Sequence, residues 1–455
     1  MNMKTERHTL LALAILICSI TLALPAIAQE ETPAGPVLFT NVNVFDGVNE
    51  ALIENANVVV TGNLITAVST EPLAVAGGRV IDGGGRTLIP GLIDVHWHTY
   101  LSNISVGQLL QNSDMSDVAI AGLLGAEQTL MRGFTTVRDI GGNPFAVKKV
   151  IDAGKFPGPR MLVSGPPLGQ TGGHFDLTPY SDVPRNPGAP LSYWERNGLI
   201  AIGDGVPEVT KKAREILRMG ATQIKIAGGG VVTSTYDPLD VTQFSYEEIK
   251  AIVDVAKNWN TYVAAHIFTD EAIQIAIKAG VKSIEHGNLI RDPKTLQMMK
   301  DNDVWLSAQP ILNDEDALKF ENSISTRKFI EVTDGTDRTY RMAKAMGVKI
   351  AFGTDLLFDP ASAARQGKMV AKLQRWFTPY EALKMVTSTN AELLTMSGPR
   401  HPYQEGPLGV VKEGAYADLI LVDGNPLENL DLVADAAKNF VVIMKDGKIY
   451  KNTLR

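Results

Sequence analysis

Gly91-Leu92-Ile93-Asp94-Val95-His96-Trp97-His98 is the stretch that decides how this chain is read. It is apolar, short enough for one strand, and closes on two histidines two positions apart. In a strand, residues i and i+2 point to the same face, so His96 and His98 look one way and Val95 and Trp97 the other. Two such imidazoles can share a cation, or each can bond to backbone inside a core. The pair alone leaves both readings open.

Working outward, the same grammar recurs. Strands are predicted at Leu92–His98, Thr135–Ile140, Met161–Gly165, Gln223–Ala227, Tyr262–Ile267, Ser283–Gly287, Val304–Gln309 and Lys349–Gly353. Helices are predicted at Val206–Met219, Tyr246–Asn258, Asp270–Ala279, Asp334–Met346 and Pro379–Met396. Glycines 133, 154, 220, 280 and 347 stand where helical runs stop, the position a helix-ending glycine takes. Strand–helix pairs repeated over ~300 residues fit an α/β chain whose centre, 91–398, is a (β/α)8 TIM-like barrel; such barrels usually need ~250 residues or more. Alternating apolar runs in 29–90 and again in 399–455 predict a small β-sandwich domain assembled from both termini. Between Gly165 and Val206 the Gly- and Pro-dense run PPLGQTGGHFDLTPYSDVPRNPGAP breaks the alternation. A loop that long is usually functional or disordered, and its place after the third strand puts it over the barrel's C-terminal mouth, where it could act as a lid.

Size and composition narrow the classes. The chain has 455 residues, 45% apolar and 20% charged, with a formal charge of −7. This is ordinary globular composition, and the lack of a basic cluster argues against nucleic acid or an anionic membrane as the main partner. Residues 1–28 read as a secretory signal peptide: Lys4 and Arg7, an apolar run from Leu10 to Leu24, then Ala26-Ile27-Ala28. The expected location is therefore periplasmic or secreted, with no membrane contact after cleavage. The single cysteine, Cys18, falls inside that signal. The mature chain then has neither disulfide nor thiolate, leaving nitrogen and oxygen donors for any metal.

Four more residues at strand ends carry chemistry. Lys225 lies between Ile224 and Ile226, which should face the helices and drive the amine into the barrel. Lysine is seldom buried without a partner, and burial disfavours its charged form. A neutral buried amine can take up carbon dioxide as a carbamate able to bridge two metals; the alternatives are a salt bridge to Asp139 or an unmodified catalytic amine. His266, His286 and Asp355 each end a strand, and each taken singly could be structural, Asp355 as a helix cap. Together they complete two shells: one divalent ion on His96, His98 and Asp355, another on His266 and His286, with N6-carboxylated Lys225 shared. Two cations lower the pKa of a bridging water so that hydroxide can attack, and one polarises the carbonyl. Asp355 would take the water's proton and deliver it to the leaving nitrogen.

The set PGLIDVHWH, TTVRD (Thr135–Asp139), TGGH (Thr171–His174), IKI, AAH, EHG, GTD and the closing GAYADLILVDGNPL resembles the amidohydrolase superfamily. It is most similar to the branch of imidazolonepropionases and Xaa-Pro dipeptidases, which includes ochratoxin A amidohydrolases. The resemblance implies a binuclear site, usually zinc, on His96, His98, Lys225, His266, His286 and Asp355, and a homo-oligomer. It also implies that His174 lies beside the substrate, holding the scissile carbonyl or a carboxylate, where a loop histidine with a backbone partner is the alternative. Tyr236 and Arg365 are further candidates for contact with an anionic substrate. The expected activity is hydrolysis of the amide of N-acyl amino acids or dipeptides, with a cyclic-amide hydrolase or lactonase on the same metals as the alternative. A non-catalytic metal-binding barrel is a rival of another class.

Overall fold

In the computed structural model of the chain, residues 35–179, 181 and 188–454 are described; the predicted signal peptide lies outside them. Eight parallel strands follow one another around a barrel: Leu92–Trp97, Phe134–Asp139, Arg160–Val163, Ile224–Ala227, Val263–Ile267, Ser283–His286, Trp305–Ala308 and Ile350–Phe352. Every residue in them is buried, as expected for parallel strands covered on both faces. Each of the eight was legible to within about two residues at its ends. The core packs strand residues such as Val137, Ile226 and Ile284 against helical Val209, Ile252 and Ile273.

The ladder has two seams, and each is bridged by specific groups. Between the third and fourth strands, Thr222 N–H donates to Val163 O at 2.8 Å. Between the eighth and first, Asp355 N–H donates to His96 O at 2.9 Å. Asn390 reinforces that seam from outside the ladder: its Nδ2 donates to Ile93 O at 2.7 Å and to Phe352 O at 2.8 Å, and its Oδ1 accepts from Phe352 N–H at 2.9 Å. Two residues with strand donors and acceptors on opposite sides are thus closed by one amide side chain.

The chain ends meet in an eight-stranded sheet. Val37–Val44, Ile53–Thr61, Leu64–Ser69, Arg79–Asp82 and Thr87–Pro90 come from the N-terminal side, and Leu419–Val422, Phe440–Lys445 and Lys448–Asn452 from the other. They join where Leu419–Val422 runs antiparallel to Thr87–Pro90, with Ile420 opposite Ile89.

Three elements differ from the sequence reading. The stretch after the third strand is not without structure: Leu168–Gly169 pairs parallel with Ala201–Ile202, and Tyr193–Arg196 forms a helical turn. The helix expected from Asp334 begins at Ser323, capped by Asn322 Oδ1 accepting from Ser325 N–H. Its N-terminal half is rich in Ser, Thr and β-branched residues with low helix propensity, and packing of Phe329, Val332 and Thr336 overrides that. The last barrel helix relaxes into a π turn over Met385–Thr389, immediately before Asn390. Among the described residues, no helix is long and apolar enough to cross a membrane.

Candidate metal centre

The first and eighth strands bring three donors together. His96 Nε2 and His98 Nε2 lie 3.2 and 3.1 Å from the same oxygen, Asp355 Oδ1, and the candidate ligand atoms of the three residues are all within 4.8 Å of one another. The strands can approach this closely because residue 353 is glycine, whose Cβ would sit 2.3 Å from His96 Cβ. Buried Asp94 ties the pair together, accepting from His96 N–H at 3.0 Å, Thr354 Oγ1 at 2.6 Å and Gln366 Nε2 at 2.9 Å.

Beside this trio stand the other histidines. The rings of His96 and His286 are 5.0 Å apart, those of His286 and His266 4.3 Å, and those of His266 and His174 4.2 Å. Each anchored ring is held through one nitrogen and presents the other. His96 Nδ1 faces Glu285 Oε2 at 2.9 Å, and His286 Nδ1 faces Gln309 Oε1 at 2.6 Å, leaving both Nε2 atoms to the site. His266 is anchored the opposite way, Nε2 donating to Gly230 O at 2.8 Å, so Nδ1 is presented. A carboxylate or carbonyl behind a histidine is the arrangement that fixes a metal ligand's tautomer. His98 Nδ1 and His174 Nδ1 are buried with no partner among the described residues.

Burial disfavours the charged form of His98, His174, His266 and His286, which is the neutral state a metal-binding imidazole needs. It lowers His98, takes His266 down to about 3, and holds His174 and His286 well below the ordinary imidazole range, with neighbouring positive groups adding to the effect. For Asp355 burial works the other way, but His96 and His98 beside it win and hold its carboxyl well below the usual range. His286 and Asp355 both have positive φ, 80° and 54°. Left-handed backbone at non-glycine residues costs of order 1–3 kcal/mol each and collects at functional sites.

Lys225 is 2% exposed, and burial lowers its amine to about 8. Among the described residues no carboxylate lies within ion-pair distance of it. The salt bridge to Asp139 is not formed: Asp139 Oδ2 instead accepts from Thr99 N–H at 2.7 Å. Lys225 is nonetheless close enough for its charge to depress His98, His174, His266 and His286.

Comparison with known proteins agrees with this geometry. The sequence model of the amidohydrolase family matches residues 87–451. The chain belongs to the amidohydrolase family. It is 32% identical to ochratoxinase of Aspergillus niger over 419 residues, covering 88% of this chain and 83% of the relative. Its structure is similar to a prolidase complexed with N-methylphosphonate-L-proline, with TM-score 0.83, 35% identity and 92% and 100% of the two chains covered. It is also similar to a Xaa-Pro dipeptidase with bound methionine, with TM-score 0.79, 28% identity and 92% and 100% covered. This amidohydrolase is a hydrolase of amide or peptide bonds, in the ochratoxinase and Xaa-Pro dipeptidase branch.

The donor set of the amidohydrolase fits divalent metal: site-facing nitrogens on His96, His98, His266 and His286, three of them oriented by a bond through the other ring nitrogen, and one carboxylate. His174 sits against His266 with its backbone N–H donating to Gln243 Oε1 at 3.1 Å. Tyr236 is 54% exposed on the loop following Lys225. Arg365 is engaged locally, its guanidinium 3.0 Å from Asp316 Oδ1 and donating to Ser362 Oγ at 2.6 Å.

Sequence reasoning passed over the groups behind the site histidines. Arg138 is fully buried and donates to Glu285 Oε1 at 2.7 Å, Tyr262 Oη at 3.1 Å and Ser283 Oγ at 3.1 Å. Burial alone would lower the guanidinium and raise the carboxyl; their pairing reverses both, so the two stay ionised. The signal was present. A charged residue inside the buried TTVRD strand needs a partner, the argument already applied to Lys225.

Proposed function

We propose that this chain is an exported, binuclear-metal amidohydrolase that releases the C-terminal amino acid from N-acyl amino acids or dipeptides. The observation that carries this reading is the meeting of His96 Nε2, His98 Nε2 and Asp355 within 4.8 Å, flanked by the His266–His286 pair. One structural neighbour is complexed with an N-substituted proline and the other has methionine bound in its active site, which favours an amino-acid leaving group here too.

In this reading, His96, His98 and Asp355 would hold one divalent cation and His266 and His286 the other, with carboxylated Lys225 completing the donor set. Bound cations of this kind, zinc first among them, supply a Lewis acid and an acidified water. The protein's own part is positional. Asp355 would accept a proton from the attacking water and return it to the departing nitrogen. His174, beside His266, meets the substrate at the mouth. The low amine of Lys225 leaves a fraction uncharged near neutral pH, the form that takes up carbon dioxide.

Metal analysis joined to an amino-acid release assay tests this. The panel is N-acetyl amino acids, Xaa-Pro dipeptides, a hydantoin and a lactone. Expected are two equivalents of divalent metal and release of free amino acid that chelation abolishes. Lys225→Ala should lose metal and turnover together. Ring opening alone would favour a cyclic-amide hydrolase, and a metal-loaded protein inert to every amide would end the proposal. Export is checked by N-terminal sequencing of the secreted or periplasmic protein, expected to begin at Gln29.

A further inference from the structure

We infer that Lys328 is a positioning residue for the metal centre, acting through the loop that follows Lys225. It stands on the helix Ser323–Met346, is 8% exposed, and points away from that helix into the loop 228–243. Its Nζ donates to three backbone carbonyls there: Val231 at 3.0 Å, Ser234 at 2.8 Å and Asp237 at 2.5 Å. An ammonium has three protons, and all three are committed to main-chain oxygens of one loop. No carboxylate among the described residues is in ion-pair contact with it. Removing such a charge from water is costly, and its return here is conformational: three carbonyls that would otherwise repel are gathered around one point.

Two groups of the site hang from that loop. Gly230 O, one residue before the first clamped carbonyl, accepts from His266 Nε2 at 2.8 Å and so decides which nitrogen His266 presents. The fold is tight at this point, since a Cβ on residue 230 would lie 1.6 Å from Pro238 O. Asp237, the third clamped residue, accepts through Oδ1 from Gln243 Nε2 at 2.7 Å, and Gln243 Oε1 accepts from His174 N–H at 3.1 Å. One ammonium on a distant helix therefore sets both a histidine of the metal centre and the histidine at the mouth. The same helix holds the loop after His286, through Thr339 Oγ1 to Gly287 O at 3.2 Å and Arg338 Nε to Ile290 O at 3.0 Å.

This inference rests on the metal-centre reading above, and its test separates the two. Lys328→Met keeps the length of the side chain and removes the charge; Gln243→Leu cuts only the branch to His174. Hydrogen exchange is followed by mass spectrometry on the full chain, metal-free and metal-loaded. Metal retention during dialysis and the KM and kcat for an N-acetyl amino acid are measured beside it. K328M is expected to speed exchange at least about tenfold in 228–243 and 172–176 while other barrel strands keep their protection. It should also lose metal faster and lower kcat/KM by roughly 10–100-fold, the usual effect of disturbing a ligand's support. Q243L should raise KM with metal retention unchanged. If K328M does not fold, K328Q is read by the same measurements. Wild-type exchange in 228–243 with unchanged metal retention overturns the inference, and so does loss of protection spread evenly over the whole chain. Failure of the wild-type protein to hydrolyse the amide would sink the substrate reading and leave the exchange and metal arms to judge Lys328.

Discussion

Glu285 is gripped from both sides: Oε2 lies 2.9 Å from His96 Nδ1 and Oε1 accepts from Arg138 at 2.7 Å. A buried guanidinium on the second strand thus reaches His96 on the first through a carboxylate on the sixth. Because Arg138 and Glu285 are both out of water, removing either leaves the other an uncompensated charge, which typically costs about 3–5 kcal/mol.

Arg138→Met is accordingly expected to lower unfolding stability by about 3–5 kcal/mol, measured as a shift of the urea midpoint. Glu285→Gln should cost stability too, and should weaken metal binding by roughly 10–100-fold, measured by competition with a chelator. Unchanged metal affinity in E285Q would mean that His96 does not depend on this carboxylate for its orientation.

Asn390→Leu removes a donor and an acceptor from the closing seam and leaves the Ile93 and Phe352 carbonyls unpaired. Each buried polar group so stranded costs about 1–3 kcal/mol. The expected loss is several kcal/mol in the denaturation midpoint, with faster amide exchange at Phe352 and in the strand Leu92–Trp97. A neutral result would place the closing energy in the Asp94–Thr354 bonds instead.

Gly353→Ala puts a methyl 2.3 Å from His96 Cβ and 2.8 Å from its backbone nitrogen. Neither is the end of a flexible side chain, so the first strand must move and take His96 and His98 with it. Overpacking of this kind costs about 1–3 kcal/mol. Loss of bound metal should exceed the loss of stability, as read by metal analysis of the folded variant.

Asp237 gives a pH dependence. Burial raises its carboxyl to about 6 from an ordinary 3.8, against the lowering by Gln243 and Lys328. With the folded pKa above the unfolded one, the protonated form favours the fold. That contribution is complete below the unfolded pKa and disappears as pH rises through about 6. Asp237→Asn, which cannot ionise, should therefore gain on the wild type between about pH 4 and pH 6.5 by roughly 1–3 kcal/mol. Denaturation midpoints of both proteins across that range provide the check; a constant difference would contradict it.

The barrel, the succession of its strands and the six ionisable residues at the strand ends were legible along the chain, because short apolar runs, turn glycines and charged residues in apolar strands are local signals. The sequence also carried the pairing of the two chain ends, since alternating runs at both termini need each other to bury a face. How those groups are held depends on the folded backbone. Which nitrogen each histidine presents is set by Glu285, Gln309 and Gly230, and Lys328 and Asn390 reach partners 97 and 297 positions away in Val231 and Ile93. Hydrogen bonds and close approaches of that range depend on where the folded backbone passes, and no pattern along the chain records it.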